Sequence, residues 1–401
     1  MAIIVAKIGN IMKKNIFENT ERAFSLKTDK ELDKSIFLFR MMNRPWIVSA
    51  GTKLTNFSLK YKLPVKSIIR NTIFRQFCGG ETSQECVPII NKYFEKNVHT
   101  VFDYASEIRE KSDAELEIDI ENQLKLADFA AQQDAIPFLA IKPTQLGSFK
   151  IWEKVNAGAQ LSPAEKESWE GIRNRTDRLC QRVHDLGMKI MIDAEEFWIQ
   201  TAVDDLVEEM MEKYNKQRPV VFSTIQCYRW DRPEYMMKLL QSAQAKGYKI
   251  GMKLVRGAYM EKERERAQKM GYPSPICQTK QQTDDVFNSI MRYCLNNIDD
   301  VSVYVGTHNE ESTYLAMEIM REKGISSDDD RVWFSQLYGM SDNITFNLAA
   351  HNYNSSKYMP FGKVDEVVPY LIRRAQENSS VEGQTSRELS LLLEEKRRRQ
   401  K

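Results

Sequence analysis

Between His99 and about residue 378 the sequence repeats one texture: a short run of apolar and β-branched residues, then a longer amphipathic, charged segment. The runs are Thr100–Tyr104, Phe138–Lys142, Lys189–Asp193, Val220–Gln226, Ile250–Val255, Val301–Thr307, Val332–Leu337 and Ser356–Met359. Continuous apolar runs are what strands of a parallel sheet require when helices cover both faces. Intervening stretches such as Ala202–Tyr214 and Ser312–Lys323 have the helical spacing to supply that cover. Eight such units in roughly 280 residues match the count and size of a (β/α)8 barrel of the TIM type. A doubly wound sheet would run its first strand into a Gly-rich phosphate loop, and neither GxGxxG nor GxxxxGK[ST] occurs in the chain.

The expected fold is therefore α/β, a (β/α)8 barrel over residues 99–380 with a helical N-terminal region, residues 1–98, before it. Thr20–Met42 carries helical apolar spacing in Phe24, Leu32, Ile36, Phe37 and Phe39, and Pro45 and Pro64 punctuate the later segments. Residues 381–401 combine Leu389, Leu391, Leu392 and Leu393 with the basic end Lys396–Arg399. A frayed helical tail with solvated charges is expected there, in preference to an amphipathic helix lying on a membrane.

The 401 residues are 42% hydrophobic, enough for a sizeable core. Lys+Arg 58 against Asp+Glu 56 leaves a formal charge of +2, which gives no electrostatic reason for a nucleic-acid partner. No apolar run approaches the roughly 20 residues of a membrane helix. The apolar stretch of Met1–Lys13 is short and interrupted by Lys7, so it does not read as a signal peptide. Cys78, Cys86, Cys180, Cys227, Cys277 and Cys294 form no CxxC and no metal-ligand spacing, and read as buried thiols in a reducing compartment. With four His, no HxxxH and a single HxxE at His308, no metal site is expected.

In a barrel of this type chemistry sits at the C-terminal ends of the strands. The polar residues that close the runs are Asp103 and Glu107; Lys142; Asp193, Glu195 and Glu196; Gln226 and Tyr228; Lys253 and Arg256; Thr307, His308 and Asn309; Gln336 and Tyr338; and Tyr358. Lys142, after four apolar residues, must give up hydration and so needs an anion nearby, for which Asp193 is a candidate. Arg373 and Arg374 follow the last strand in a helix starting after Gly362. They project about 100° apart, yet stand where a bidentate clamp for a carboxylate belongs. Such a mouth suits an anionic small molecule and a phosphate-bearing one. Two chemistries fit: a Schiff-base lyase using Lys142 or Lys253, and a flavin enzyme whose loops hold a diphosphate without a Rossmann turn.

Five motifs in order separate the two: IDAEE (192–196), KLVRGAY (253–259), GTHN (306–309), QLYGM (336–340), and KYMPFG followed by YLIRRAQENSS (357–380). Together they resemble the proline dehydrogenase family over about residues 100–380. The helical N-terminal region and the charged insert Ile151–Leu179 resemble its longer monofunctional eukaryotic form, which implies a mitochondrial location, peripheral at the inner membrane; a bacterial member would be cytoplasmic or associated with the inner membrane.

The resemblance implies oxidation of L-proline to 1-pyrroline-5-carboxylate, with FAD as cofactor, hydride transfer to flavin N5 and a membrane quinone as electron acceptor. It implies that Arg373, Arg374 and Lys142 bind the substrate carboxylate, with Asp193 pairing with Lys142 and fixing it. Tyr259, Leu337 and Tyr358 would line the pyrrolidine ring. Gln226 and Lys253 would contact the isoalloxazine, Lys253 near N5, and Arg256, Gly257, Thr307, His308, Asn309 and Glu377 would hold the rest of FAD. Glu107 would pair with Arg373 as a gate. Relatives that prefer hydroxyproline tend to carry a smaller residue where Tyr358 stands, so Tyr358 points to proline.

Overall fold

The computed structural model describes residues 16–61, 66–106, 111–380 and 384–401. Met1–Lys13 and Glu107, named above, lie outside them. Eight strands, β1 (Val98–Tyr104), β2 (Phe138–Ile141), β3 (Lys189–Ile192), β4 (Val221–Gln226), β5 (Ile250–Val255), β6 (Val301–Gly306), β7 (Val332–Leu337) and β8 (Ser355–Phe361), close into one barrel in chain order. Parallel ladders join β1 to β8, and β2 through β5 each to the next strand. The (β/α)8 expectation holds, and its reason is visible in the strands, where β2, β3 and β4 are buried at every residue. By contacts the chain divides into two units, Met1–Glu107 with Ser335–Lys401, and Ile108–Phe334.

In the second unit, residues 108–334, the starts of the strands are filled by aromatic rings. Phe138 meets Phe222, Tyr304 and Trp333 edge-on at centroid distances of 5.2–5.5 Å. Lys189 lies over the Phe138 and Trp333 rings and pairs with Asp330 at 2.6 Å. Burial pushes the Lys189 ammonium below its usual range, and the Asp330 carboxylate works against that. The charged insert forms two helices, Phe149–Asn156 and Pro163–Asp185. The second starts at a capping box in which Ser162 and Glu165 satisfy each other's backbone N–H groups. It carries Arg175, 2% exposed, whose Nε donates to the Leu146 carbonyl at 2.7 Å and whose Nη1 bonds Glu117 at 3.0 Å.

The first unit packs N-terminal helices with the last two helices of the chain. Thr20–Met42 is not one helix. It divides into Thr20–Ala23 and Asp29–Met42, because Thr28 and Glu31 form a capping box that starts a new helix after a turn. Phe37, counted above among the apolar spacing, is 65% exposed, while Leu32, Ile36 and Phe39 are buried. The helix Pro45–Lys60 packs on the helix Val364–Ser380. The QLYGM motif owes its glycine to a close approach: at Gly339, with φ +78°, a Cβ would stand 1.8 Å from the Gln76 carbonyl oxygen.

The C-terminal tail departs from expectation. It is an ordered helix, Gln384–Arg399, that buries Leu391 and Leu392. Its basic end is paired in part within the unit, with Arg397 and Arg398 exposed: Lys396 pairs with Asp33 at 2.6 Å, and Arg399 bonds Asp29 and the carbonyls of Lys27 and Phe24 at 2.8–2.9 Å. Arg398 and Arg399 both hold Glu395, which is 0% exposed. In the same unit Lys357 of β8, fully buried, pairs with Asp342 at 2.8 Å, and the Glu388 carboxylate accepts the Ser341 N–H at 2.9 Å.

Arg175 and its neighbour Arg173 test what burial adds. Arg175→Ala leaves the buried Leu146 carbonyl without its donor and removes the bond to Glu117, and costs about 2 kcal/mol. Arg173→Ala removes a half-exposed pair to Glu209 and costs under about 1 kcal/mol. Thermal unfolding of the two variants should rank them in that order.

Candidate active site

Within residues 108–334 the C-terminal strand ends carry the expected polar side chains. Lys142 follows β2 directly, is 7% exposed, and its N–H donates to Gln145 Oε1 at 3.0 Å. Asp193 follows β3, where its N–H donates to the Ile141 carbonyl at 2.9 Å. Asp193 forms a salt bridge with Lys253 of β5 at 2.5 Å, the two side chains 16% and 6% exposed, a partner that sequence reasoning does not name for it. β5 reaches Asp193 because parallel ladders put the ends of β3, β4 and β5 in register, Phe222 opposite both Met191 and Gly251.

Gln226, the last residue of β4, donates from Nε2 to the Glu195 carbonyl oxygen. Its Oε1 is buried with no hydrogen-bond partner among the described residues. A buried amide oxygen left without a donor is a costly arrangement in a folded protein, and a ligand N–H would relieve it. Arg256, just past β5, is held on three sides: Nε to Asp284 at 2.7 Å, Nη1 to Thr307 Oγ1 at 2.7 Å and Nη2 to Ser312 Oγ at 3.0 Å. Burial works against ionising Asp284, but Lys280 and Arg256 outweigh it and hold its carboxyl below the usual range. Gly257 has φ +131°, and a Cβ there would lie 2.5 Å from the Tyr228 ring, so the backbone at this turn admits no side chain.

Thr307, His308 and Asn309 form the turn into the helix Glu310–Lys323. Asn309 caps it by accepting the Ser312 N–H at 2.8 Å, and Thr307 Oγ1 also accepts the Asn309 N–H at 3.1 Å. A helix start beside a fixed guanidinium is a place for a phosphate-bearing group. The orphaned Gln226 oxygen, the bare Gly257 turn and this anion-receptive corner fit a flavin dinucleotide. Tyr259, half-buried, stands at the N-cap of the helix Met260–Met270.

Three residues that sequence reasoning left without a role support these loops. Glu195 accepts both the Thr144 N–H at 3.0 Å and its hydroxyl at 3.1 Å, joining the loops after β2 and β3. Glu196, fully buried, pairs with Lys262. Glu263 accepts the Phe197 N–H at 2.6 Å, and its other oxygen is buried without a partner among the described residues. The IDAEE motif marks Glu195 and Glu196, but nothing local marks Glu263, whose partner is 66 residues away.

Within the other unit, Leu337 ends β7 and Tyr358 lies on β8, its carbonyl accepting the Tyr338 N–H at 2.9 Å. Arg373, Arg374 and Glu377 lie on the helix Val364–Ser380. Arg374 is 7% exposed, bonds Glu377 Oε1 from Nη2 at 2.6 Å, and leaves its Nε buried without a partner among the described residues. Glu377, expected toward FAD, is thus engaged with Arg374. Burial raises the Glu377 carboxyl, with Arg374 and Arg373 pulling it back. Arg373 is half-buried, so the two neighbouring arginines differ in exposure.

The model of the family described as proline dehydrogenase matches residues 86–387. The chain belongs to the proline dehydrogenase family. Among curated relatives it is 40% identical over 251 residues to proline dehydrogenase 1, mitochondrial, of Drosophila melanogaster, covering 60% of this chain and 37% of that one. It is 40% identical over 266 residues to proline dehydrogenase 1, mitochondrial, of Homo sapiens, covering 64% and 44%. The carbapenem antibiotics biosynthesis protein CarD of Pectobacterium carotovorum is 33% identical over 323 residues, covering 80% of this chain and 83% of that one. The matches thus take in less than half the length of the fly and human relatives. Among solved structures, proline utilization A from Bdellovibrio bacteriovorus shares the fold, with a TM-score of 0.71, 21% identity, and coverage of 95% of this chain and 39% of that one.

Glu263 has a measurable consequence. Burial, with a smaller push from Glu196, raises its carboxyl to about 7, against the pull of the Phe197 N–H, Arg229 and Lys262. The unfolded chain gives up this proton near 4.5 and the folded chain holds it to about 7. Stability from this group is therefore present below about 4.5 and is lost as pH rises to 7. Glu263→Gln, which keeps the acceptor for Phe197, should remove that slope and stabilise the protein at pH 8 by up to about 3 kcal/mol. Thermal midpoints of both proteins from pH 4.5 to 8 check this.

Proposed function

We propose that the chain oxidises L-proline to 1-pyrroline-5-carboxylate with bound FAD and passes the electrons to a membrane quinone, in the mitochondrion. The observation that carries this reading is the family match over residues 86–387, which takes in every candidate residue named above. FAD, when bound, supplies the two-electron acceptor for the hydride from the substrate ring. The protein's own part is binding and orientation. Arg374, buried and with an Nε–H to spare, and Arg373 beside it would clamp the carboxylate, with Lys142 as a third cation. Fixing the carboxylate fixes the ring, and positioning of this kind is worth several kcal/mol of barrier. Tyr259, Leu337 and Tyr358 would exclude larger amino acids and water from the ring. Gln226 would accept a flavin N–H, and Arg256 with the Thr307–Asn309 turn would take the diphosphate.

A Schiff-base lyase fits less well. Lys253 Nζ is already spent on Asp193 at 2.5 Å, whereas a nucleophilic lysine needs its lone pair. Use of hydroxyproline is the nearer alternative, against which Tyr358 stands.

Steady-state kinetics with a soluble dye as acceptor test the assignments. Arg373→Ala and Arg374→Ala should each raise the proline KM about tenfold or more, the loss of at least one charged hydrogen bond, while flavin absorbance of the purified protein is retained. Wild-type proline affinity in either variant removes that arginine from the clamp. Tyr358→Ser should raise the proline KM and improve relative turnover of hydroxyproline; unchanged kinetics for both substrates would remove Tyr358 from the ring site.

A further inference from the structure

The QLYGM motif runs into a turn whose backbone is held at three consecutive residues by side chains from three separate parts of the chain. Gln76, in the N-terminal helical region, donates from Nε2 to the Gly339 carbonyl at 2.7 Å. Lys357 of β8 donates from Nζ to the Met340 carbonyl at 2.5 Å. Glu388, in the helix Gln384–Arg399, accepts the Ser341 N–H at 2.9 Å. The Gln76 amide is itself oriented, because its Oε1 accepts from the Ser35 hydroxyl at 3.1 Å.

A turn of this shape has to be held. Gly339 and Ser341 have φ of +78° and +50°. Among the described residues the other non-glycine residues with positive φ are Asn97 and Asn352, and Asn enters that region more readily than Ser. A residue kept there persists only where its surroundings over-determine it. Charge is concentrated at the same place: Asp342 and Glu388, both buried, face Lys357, which is 0% exposed, and Lys27, which meets Asp342 at 3.4 Å. Four charged groups withdrawn from water carry a desolvation cost, and an arrangement of that kind fixes one geometry.

The residues assigned above to the substrate ring are bonded to this turn through their backbones. The Met340 N–H donates to the Leu337 carbonyl at 3.2 Å, and the Tyr338 N–H donates to the Tyr358 carbonyl at 2.9 Å. Met340 also meets the helix that bears the arginine pair, where Asn378 Nδ2 donates to its Sδ at 3.5 Å and to the Arg374 carbonyl at 2.8 Å. We propose that Gln76 and Glu388 are positioning residues for substrate recognition: holding the Gly339–Ser341 turn from opposite ends of the chain, they set Leu337 and Tyr358 against the substrate and so limit the size of the cyclic amino acid that is accepted. The helices before and after the barrel then shape the ring site as well as cover the fold. This inference rests on the proline reading given above.

Steady-state kinetics of the full-length holoprotein with a soluble dye as acceptor test it, with L-pipecolate, whose ring is larger by one methylene, as a competitor. In Gln76→Met and in Glu388→Ala the proline KM should rise about tenfold, the effect of one hydrogen bond lost from an ordered backbone. The Ki of L-pipecolate should change by no more than about twofold, so that the preference for the smaller ring falls roughly fivefold, within what one methylene is worth. Burial, with Asp342 beside it, raises the Glu388 carboxyl to about 7 against the pull of the Ser341 N–H, Lys357 and Lys27, so the neutral amide of Glu388→Gln keeps the acceptor and should restore both constants to within about twofold of wild type. Arg399→Ala loosens the same helix at its far end, where Arg399 bonds Asp29 and the carbonyls of Lys27 and Phe24. It should lower the thermal midpoint and leave the ring preference unchanged. Unchanged preference in both Gln76→Met and Glu388→Ala overturns the proposal, and so does an equal loss in Arg399→Ala, which would make the effect one of general loosening. Where Glu388→Ala does not fold, Gln76→Met, which removes a single half-buried donor, decides alone. A wild-type protein that does not oxidise proline overturns the proline reading and this inference with it, whereas an active wild type with unaltered variants overturns only the inference.

Discussion

Lys253 and Asp193 form the pair on which the strand ends of residues 108–334 are organised. Lys253 comes from within β5, 5% exposed, and a cation there is tolerable only with a carboxylate beside it. Losing either partner leaves a charge stranded, at a cost of roughly 3 kcal/mol or more. That requirement fixes what surrounds it. Asp193 must leave β3 in register with Ile141, the loop must turn at once into Glu195 and Glu196, and those carboxylates in turn hold the loop after β2 and the helix after β5. The orphaned Gln226 oxygen stands in this same framework, since its amide nitrogen is bound to the Glu195 carbonyl.

Unit by unit, charge is arranged for two purposes. Lys189 with Asp330, Arg175 with Glu117 and Lys357 with Asp342 are structural pairs, each complete within the fold. Arg374, Lys142 and Arg256 are the cations proposed to take a carboxylate and a diphosphate, and Arg374 keeps an Nε–H without a partner among the described residues. The near-neutral total of the chain says nothing about either group, because it averages over them.

Strands are the most legible part of the sequence, since burial on both faces leaves an unbroken apolar run whose ends are set by the first obligate polar residue. β2 stops at Ile141 because Lys142 follows. The register of side chains between strands is not legible: nothing local tells that Lys253 stands beside Asp193, a pairing made by how β3, β4 and β5 lie in register. The Gln384–Arg399 helix escapes sequence reasoning for the same reason. Its leucines and arginines read equally as a frayed tail until Asp29, Asp33 and the carbonyls of Phe24 and Lys27, more than 360 residues earlier, are brought beside them. Apolar spacing alone makes Thr20–Met42 one helix, while the capping box at Thr28 and Glu31 is present in the sequence and decides the break. The arginine pair is legible in position, but its split into one buried and one half-buried guanidinium depends on how the last barrel helix is packed.

The most direct test is an anaerobic titration of the purified protein with L-proline, followed by visible absorption. The expected result is a yellow protein whose flavin bands bleach on adding proline and return on adding a quinone. A colourless protein, or flavin bands that proline leaves untouched while the fold is intact, would contradict the proposed chemistry.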